Sequence, residues 1–477
     1  MNLNQVALLP GYCAAGTALL AFLVDLLVPA RRAAVAAATA LGTLATAVAA
    51  VAVGRGPVRR TFCSVGCSYV ADHRAALVAV VFALLTLVVV ALSVPSQSQG
   101  EYYFLLGCSM TGGVVLGYTR DLISLTVAVE TLTLPLYPLV AFRRRSVASA
   151  EGAVTFFVVS VVSTTVTLLG AALLYASTGA LHFTRLAAAL GHGPRPPMVT
   201  TGAVLVIAGL AFKVAAVPMH AWAPAAYDGA PVPVAAYLST ASKLGGVIAI
   251  LYVAVDALGP ALPIVGPALA VVATLTMIVG NLGALRQARM VRLLAWSSIA
   301  QAGYILAPLG ALALARGRTA QGVSGAVAAT LGYAVFYVIL EIGAFGAVVA
   351  LRGGRDGGRI TDYAGAARRA PWVTGVFVLS MIGLAGLPPG LAGLFAKVVV
   401  VRALLSGGAA WLAIVVAINS VVGLAYYVRA IGALFAGNGE PDSRIKIGWP
   451  VAAALGGVAL VAVVVGFAPQ LVIDAVA

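Results

Sequence analysis

Charged residues are scarce in this sequence. Only 9% of its 477 residues are charged, against about 25% in an ordinary soluble domain, and 62% are hydrophobic. A mean hydropathy of +1.06 is too high for a surface that faces water. The composition therefore excludes a soluble enzyme or a soluble nucleic-acid-binding protein, and it indicates a polytopic membrane protein.

Lysine is scarcer still. The chain has 25 arginines but only 4 lysines. Lys213, Lys243 and Lys397 lie inside apolar stretches, and Lys446 lies in a polar loop. The net charge of +15 comes mostly from arginines in loops, where basic residues set membrane orientation. We therefore expect the positive charge to orient the protein in a lipid bilayer, and we expect no nucleic-acid partner.

Cysteine is rare as well. The chain has 4 cysteines and 4 histidines, and they do not follow the spacing of a metal site. Phosphate-binding and dinucleotide-binding glycine motifs are also missing from the sequence. We therefore expect no metal and no bound cofactor. Cys63 and Cys67 share one loop, and they form either a disulfide, if that loop faces an oxidising space, or two free thiols.

Long apolar windows account for nearly the whole chain. A membrane-spanning helix takes about 20 apolar residues, and about fourteen windows reach that length. They lie near 6–30, 33–53, 74–94, 102–118, 121–142, 152–176, 200–222, 232–257, 262–282, 292–312, 322–350, 372–403, 410–434 and 449–473. The sequence therefore predicts an all-α polytopic membrane protein with about fourteen transmembrane helices.

Basic residues in the loops predict the orientation. Arg31 and Arg32 follow the first window, and no basic residue precedes it, which indicates a retained span rather than a signal peptide. With the N-terminus outside, the inner loops hold 16 lysines and arginines and the outer loops hold 9, with a cluster at 55–60 as the main exception. We expect a multi-pass protein of the bacterial plasma membrane with both termini on the outer face.

Five ionisable residues lie far enough from the ends of the apolar windows to face the bilayer core. They are Glu130, Lys213, Lys243, Glu341 and Lys397. A charge at the bilayer centre costs about 2.5–3.5 kcal/mol, so such residues are either functional or paired for packing. A buried lysine can release its proton because burial lowers its pKa, whereas arginine stays protonated. The choice of lysine favours a proton carrier, and Glu130 is the expected partner of Lys213.

Proline and glycine interrupt two of the windows. Pro218 follows Lys213 on the seventh window, and Pro388 and Pro389 precede Lys397 on the twelfth. Proline breaks or kinks a helix because it lacks the backbone N–H and crowds the preceding turn. Interrupted spans at corresponding positions of two halves are typical of ion sites built on inverted repeats. We therefore expect two inverted five-helix repeats, windows 4–8 and 9–13, with broken helices 7 and 12.

These repeats predict four parts of the chain. They are an N-terminal three-helix segment (1–100), a first five-helix repeat (101–258), a second five-helix repeat (259–436) and a C-terminal helix (437–477). His220 lies two residues after Pro218. Its imidazole could relay a proton, or it could hydrogen-bond carbonyls that the proline break leaves free.

Four long motifs carry a family resemblance. They are GEYYFLLGCSMTGGVVLGYTRDLISLTVAVETLTLPLYPLVAF, AGLAFKVAAVPMHAWAPAAYDGAPVPVAAYLSTASKLGG, GNLGALRQARMVRLLAWSSIAQAGY and GLPPGLAGLFAK. In this order they resemble the antiporter-like membrane subunits of respiratory complex I, and the likeness covers nearly the whole chain. Within that family, VETLTLPLYPL and VPMHAWAPAAYDGAPVPV are most similar to the N-type subunits.

The resemblance implies a function. It implies a fourteen-helix subunit with a polar axis at mid-membrane, which moves protons while quinone is bound and reduced elsewhere in the complex. Other membrane-arm subunits would be its partners, and it would bind no flavin, iron–sulfur cluster or metal. The family's proton-path positions correspond in this sequence to Glu130, Lys213, Lys243, Lys397 and His220.

The sequence departs from the family at three positions. Thr155 stands where the sixth helix often begins with a lysine. The family motif KRLLAYSSIAH reads VRLLAWSSIAQ here, so that Val291 replaces a lysine and Gln301 a histidine. Glutamine cannot take up a proton at neutral pH. The route across the second half would then use water, with support from Tyr304, Ser298 or Asn419.

Two alternatives to complex I remain open on the sequence alone. One is a stand-alone or Mrp-type cation/proton antiporter, and the other is a structural membrane subunit whose proton path is inactive. Glu341 bears on the second, because it either replaces the lost central group or pairs with a cation.

Overall fold

The computed structural model describes residues 3–29, 31–96, 99–143, 146–191, 196–353, 355–437 and 445–476. Within these ranges the chain is almost wholly α-helical. Four arginines that belong to the predicted loop charges lie outside the described residues: Arg144, Arg145, Arg195 and Arg444.

Twenty-one α-helices occur in the described part of the chain. The first nine are α1 (Gln5–Leu27), α2 (Arg32–Gly54), α3 (His73–Ser93), α4 (Gly100–Tyr118), α5 (Leu122–Thr133), α6 (Leu136–Val140), α7 (Val147–Thr178), α8 (Phe183–Gly191) and α9 (Pro197–Ala211). The next six are α10 (Trp222–Gly229), α11 (Val232–Tyr237), α12 (Lys243–Leu251), α13 (Leu262–Leu285), α14 (Met290–Gly310) and α15 (Ala320–Arg352). The last six are α16 (Ala366–Arg369), α17 (Pro371–Ala385), α18 (Leu391–Ser406), α19 (Ala410–Phe435), α20 (Trp449–Phe467) and α21 (Gln470–Val476).

Short segments of tighter or wider helix join several of these elements. The 3₁₀ segments are Val94–Ser96, Phe212–Val214, Gly259–Ala261, Ala311–Ala313 and Ile360–Tyr363. The π-helical segments are Leu238–Ser242 and Tyr252–Ala257.

The helices agree with the predicted windows. Among the described residues, twelve helical stretches are long and apolar enough to cross a bilayer. Of the two remaining windows, 102–118 coincides with α4, and 372–403 is divided between α17 and α18. The predicted all-α polytopic fold is therefore confirmed.

Both predicted breaks are present. The seventh span ends with α9 and a 3₁₀ turn, and helix resumes only at Trp222. The twelfth is interrupted between α17 and α18, where Gly386 adopts a φ of +81° that favours glycine. A Cβ on Gly393 would lie 1.7 Å from the carbonyl oxygen of Gly383, so only glycine allows the two half-helices to approach this closely.

The loop between α2 and α3 contains a small sheet that the sequence did not predict. Strands β1 (Arg59–Cys63) and β2 (Cys67–Ala71) pair antiparallel. Cys63 and Cys67 form a disulfide across the turn, which decides between the two alternatives left open above. Tyr69 on β2 stacks on Tyr118 at the end of α4, with ring centroids 4.8 Å apart.

Polar residues determine where several helices begin. The Asp72 carboxylate accepts the backbone N–H of Ala75 at 2.8 Å and caps α3. Asp121 caps α5 in the same way through the N–H groups of Ile123 and Ser124. Side-chain acceptors at this position satisfy backbone donors that lack a partner within the helix. The caps therefore begin α3 and α5 at polar residues that precede apolar runs.

The helices pack into two compact units. The first contains Met1–Phe142, Phe157–Val214 and Ala241–Val265, and the second contains Arg143–Phe156, Ala215–Thr240 and Gly266–Ala477. In the first, α4 lies directly on α5, because Gly112 faces the backbone of Leu132. In the second, α15 contacts α14, α17, α18 and α20. The predicted boundaries at 100, 258 and 436 stay a prediction.

Candidate functional site

A buried ion pair lies in the first unit. The ammonium of Lys213 donates to the Oε1 atom of Glu130 at 2.7 Å. The lysine side chain is 6% exposed and the glutamate side chain 21% exposed. Removing both charges from water is costly unless they compensate each other and find further hydrogen bonds. The pair anticipated from the sequence is therefore formed in the folded chain.

Three hydroxyls complete the pair. Lys213 also donates to Ser160 Oγ at 3.2 Å and to Thr133 Oγ1 at 3.3 Å. An ammonium has three N–H donors, so the carboxylate and these two hydroxyls account for all of them. The hydroxyl of Thr164 donates to Oε1 of Glu130 at 2.6 Å. The lysine charge and the carboxylate charge are thus held by one polar cluster inside an apolar bundle.

The break in the seventh span positions Lys213. The lysine belongs to the 3₁₀ turn that follows α9, so its backbone has left the regular α-helical path. Two residues later, Ala215 has a φ of +55°. The left-handed conformation costs an L-residue about 1–2 kcal/mol and is concentrated at functional sites. A strained backbone residue therefore lies beside the helix interruption that holds Lys213.

Lys243 lies in the same unit as this pair. It is the first residue of α12, directly after the π-helical segment Leu238–Ser242, and it is 1% exposed. π-Helical turns within α-helices are frequent at functional sites. Gly246, one turn further on, touches the backbone of Lys213, since a Cβ there would lie 2.8 Å from the Lys213 carbonyl carbon. The first unit therefore brings Glu130, Lys213 and Lys243 onto neighbouring elements.

Lys397 lies in the second unit, beside the break between α17 and α18. Its ammonium donates to the carbonyl of Ala385 at 2.5 Å and lies 5.2 Å from the centre of the Tyr304 ring. A helix C-terminus and an aromatic face both attract a cation. In the described part of the chain, no carboxylate lies within ion-pair distance of Lys397. Its environment thus differs from that of Lys213.

His220 belongs to the second unit. Its Nδ1–H donates to the carbonyl of Pro218 at 3.2 Å, and its ring meets Trp296 edge-on at 5.4 Å. The hydrogen bond to a freed carbonyl, one of the two expected roles, is present. The relay role stays a prediction, and the Nε2 atom of this tautomer would be the proton acceptor.

The two family departures on α14 lie in different surroundings. Val291 is buried near the start of the helix, and its side chain packs against Gly357. Gln301 lies ten residues later, about 15 Å along the helix axis. Its amide donates to Leu384 O and Tyr427 Oη, both at 3.0 Å, and its Oε1 accepts from Tyr333 at 2.7 Å. Gln301 therefore interrupts the sequence of titratable groups within the bundle, whereas Val291 makes an apolar contact near the start of the helix.

The side chains expected to support water in the second half all lie in the second unit: Ser298, Tyr304 and Asn419. Tyr304 Oη and Asn419 Oδ1 both accept from the amide of Asn281, at 3.1 Å each. Ser298 donates to the carbonyl of Ala295 at 3.0 Å. Tyr304 also faces Lys397, so an uncharged polar network reaches this lysine. Asn281 is a member of the network that the sequence analysis did not identify.

Glu341 is fully buried on α15. Tyr337, one turn earlier, donates to the carbonyl of Ser239 at 2.8 Å. Phe345, one turn later, meets the ring of Tyr227 at 6.4 Å. The glutamate therefore lies among tyrosine side chains of the second unit.

The hydroxyls around Glu130 and Lys213 were also missed by the sequence analysis. Ser160 and Thr164 lie four residues apart on α7, so they share one helix face. Two polar residues at that spacing in an apolar helix are a usable signal. Serine and threonine in spans commonly bond to their own helix, however, so the sequence could not show where they point.

Comparisons with known proteins agree on one family. Residues 119–423 match the family model described as NADH:quinone oxidoreductase/Mrp antiporter, transmembrane. A protein of Salinispora tropica named NADH-quinone oxidoreductase subunit N is 58% identical, over 99% of this chain and 98% of its own length. A chain of respiratory complex I from Thermus thermophilus has 28% identity and a TM-score of 0.81, with 98% of both chains covered.

The same fold also occurs in a protein complex other than complex I. A chain of the Mrp complex from Dietzia sp. DQ12-45-1b has a TM-score of 0.85, with 99% of this chain and 96% of that chain covered. Its sequence identity is 24%, so it shows the fold only. The family match and the Salinispora relative go further: the chain belongs to the NADH:quinone oxidoreductase/Mrp antiporter family of membrane subunits, and within it to the subunit N group of NADH-quinone oxidoreductases.

Proposed function

We propose that this chain is a proton-translocating subunit of a complex I-type NADH:quinone oxidoreductase in the bacterial plasma membrane. It carries no redox centre of its own, and quinone is bound and reduced elsewhere in the complex. Other membrane-arm subunits and the lipid bilayer are its partners, and both termini lie on the outer face. The observation that carries the proposal is the buried 2.7 Å pair of Lys213 and Glu130 at a helix break.

The chemistry follows from charge compensation. With Glu130 ionised and in contact, the buried ammonium of Lys213 is stabilised. When the carboxylate is neutralised or moves away, the same ammonium is left in an apolar bundle and releases its proton. An arginine could not release one. A partner that controls Glu130 therefore controls whether the lysine holds or passes on a proton.

Each remaining residue has a proposed role. Lys243 receives the proton from the Lys213 region, and Lys397 lies at the exit. His220 accepts a proton through Nε2, because its Nδ1–H is bonded to the carbonyl of Pro218. Glu341 is the titratable group of the second unit that compensates for the histidine missing at Gln301. Its complete burial on α15 supports this role, because a carboxyl group is rarely buried unless it is paired or functional.

Names of relatives support the assignment. The Salinispora tropica protein is named as a subunit of NADH-quinone oxidoreductase, and the Thermus thermophilus chain belongs to respiratory complex I. An Mrp-type antiporter remains the alternative from the same fold, and the genes that flank this one distinguish the two. Redox and cluster-binding subunits beside it support complex I, and their absence supports the antiporter.

A structural subunit with an inactive path is the second candidate function. The amide at Gln301 favours it, because that side chain holds Tyr333 and Tyr427 without being able to carry a proton. Both candidates predict an assembled complex. They differ only in whether the buried lysines are needed for pumping.

Replacement of Lys213 by methionine tests the proposal. Lys213→Met keeps the length and apolar character of the side chain but removes the proton site. We expect NADH-driven proton pumping by vesicles containing the assembled complex to fall by at least several-fold. Lys446→Met is the matched control, because Lys446 is exposed in a loop. Normal pumping by an assembled Lys213→Met complex would support the structural role instead.

A further inference from the structure

An apolar groove runs along α18 in the second unit. It extends from the break at Ala385 to Ser406, and α19 forms its other wall between Val416 and Leu424. Its volume is about 670 Å³, within the roughly 300–1,000 Å³ of pockets that enclose small-molecule ligands. The walls are aliphatic, and Val398, Leu405 and Val421 are 51%, 54% and 71% exposed. The groove is therefore open and suits a long hydrocarbon group.

Positive charge lies at one end of this groove. Arg402 lines it four residues before α18 ends and is exposed. Arg316 is exposed as well, and its Cδ lies 3.6 Å from the position of a Cβ on Gly408, two residues beyond the helix. In the ranges that the structure describes, neither arginine forms a salt bridge. Two guanidinium groups thus lie near the C-terminal end of α18 without a carboxylate partner.

A phosphate group matches this end of the groove. Guanidinium binds phosphate oxygens through two parallel hydrogen bonds, and a membrane-facing arginine is stable only where it reaches the interface or an anion. Basic residues near a bilayer surface attract anionic lipid headgroups by about 1 kcal/mol each. The aliphatic walls would at the same time hold a hydrocarbon chain by van der Waals contact, since the surrounding bilayer core is itself apolar.

We propose that this groove binds an anionic glycerophospholipid. Its phosphate lies between Arg402 and Arg316, and one acyl chain follows α18 towards Lys397, which lines the other end. The inference does not depend on the proton path, because it rests on the shape and charge of this exposed groove in the second unit. It has one structural consequence for Lys397: the bound chain would close the apolar wall beside that lysine.

Photo-crosslinking in the assembled complex tests the site. The complex is placed in nanodiscs that contain phosphatidylglycerol with a photoreactive group on its acyl chain, and labelled peptides are identified by mass spectrometry. We expect labels on the α18 and α19 residues that line the groove. Arg402→Gln should lower this labelling about fivefold, and the loss should deepen when Arg316→Gln is added, since each arginine near anionic lipid contributes a factor of this order.

Two controls make the result specific. Arg185→Gln removes an exposed arginine of the first unit on α8 and should leave the labelling unchanged. Val421→Trp fills the groove without changing its charge and should abolish labelling even if an arginine variant fails to assemble. Equal labelling by a phosphatidylcholine probe would overturn the proposal. Labelling of a neighbouring subunit by the lipid probe, in place of the groove residues, would overturn it as well. Proton pumping is not measured, so the result is independent of the proposed function.

Discussion

Thr164 donates its hydroxyl to the Oε1 atom of Glu130 at 2.6 Å, and Lys213 donates to the same oxygen at 2.7 Å. Two donors on one oxygen stabilise the ionised carboxylate. Ser160, which lies on α7 together with Thr164, accepts a further hydrogen bond from the Lys213 ammonium. The switchable charge therefore depends on uncharged neighbours as well as on its partner.

Thr164→Val should weaken this arrangement. The change removes a hydrogen bond to a charged group, worth about 1.5–3 kcal/mol, while nearly preserving side-chain volume. We expect proton pumping at equal quinone reduction to fall by about tenfold or more, and Thr164→Ser to retain most of it. Thr165→Val is the neighbouring control, because Thr165 donates only to its own helix at Val161 O. Equal loss in both variants would show a general helix effect.

Glu130→Gln should impair coupling more severely. Glutamine keeps the shape of the side chain but leaves the ammonium of Lys213 without an opposing charge in a buried site, a change that typically costs about 3–5 kcal/mol. We expect pumping to be largely lost, while Glu130→Asp retains a measurable part. The measurement is NADH-driven acidification of inverted membrane vesicles with the amount of assembled complex determined in parallel. Normal pumping by the glutamine variant would disprove the role of this pair.

Gly246→Ala tests the close contact of α12 with Lys213. A Cβ at this position would lie 2.8 Å from both the Cβ and the carbonyl carbon of Lys213, and a backbone atom cannot move aside cheaply. We expect the variant to shift the Lys213 turn and lower pumping, although alanine is the better helix former by about 1 kcal/mol. Gly456→Ala on α20 is the control, because nothing lies within 4 Å of its added Cβ. If both variants pump alike, the contact does not position Lys213.

Glu341→Gln should lower pumping if the buried glutamate carries protons. The amide keeps the volume of the side chain but cannot titrate, so Glu341→Asp should restore part of the activity. Infrared difference spectra of the working complex should lose a carboxyl band in the glutamine variant. A purely structural glutamate would leave both the spectrum and the pumping unchanged when the complex assembles.

An ion-pair network in the second unit should give a pH-dependent stability. Arg289 donates to Asp228 at 2.7 Å and to Asp356 at 2.9 Å, and its guanidinium holds the pKa of Asp356 below its usual value. A lowered carboxyl pKa contributes stability above its unfolded value, about 3.9, and this stability is lost as the pH falls through the folded value.

Asp356→Asn should therefore lower the thermal inactivation midpoint at neutral pH. The difference from the unaltered protein should narrow only as the pH falls below about 3.9 towards the lower folded-state pKa, because the aspartate of the folded protein becomes protonated there. The size of the effect is expected to be small, since 42% of the Asp356 side chain is exposed. Glu151→Gln, on an exposed carboxylate, is the control. A difference that does not change with pH would show that the network contributes through packing.

The amino-acid sequence determined the membrane class, the helical windows and the two breaks. Hydropathy over about 20 residues is sufficient for the first two, because the bilayer forces each span to satisfy its own backbone hydrogen bonds. Prolines and glycines near Lys213 and Lys397 determined the breaks, since their effect on the backbone is local. The rarity of lysine likewise identified three candidate residues without any structure.

Only the tertiary structure decided which side chains meet. The sequence placed Glu130 and Lys213 on different spans, and their 2.7 Å contact depends on how α5 packs against the end of α9. It could not show that Ser160 and Thr133 accept the other two ammonium hydrogens of Lys213, or that Gln301 accepts a hydrogen bond from Tyr333 on another helix. The physical reason is the same in each case: hydrophobic pattern specifies that a helix is buried, whereas hydrogen-bond partners depend on distances and angles between helices far apart in the chain.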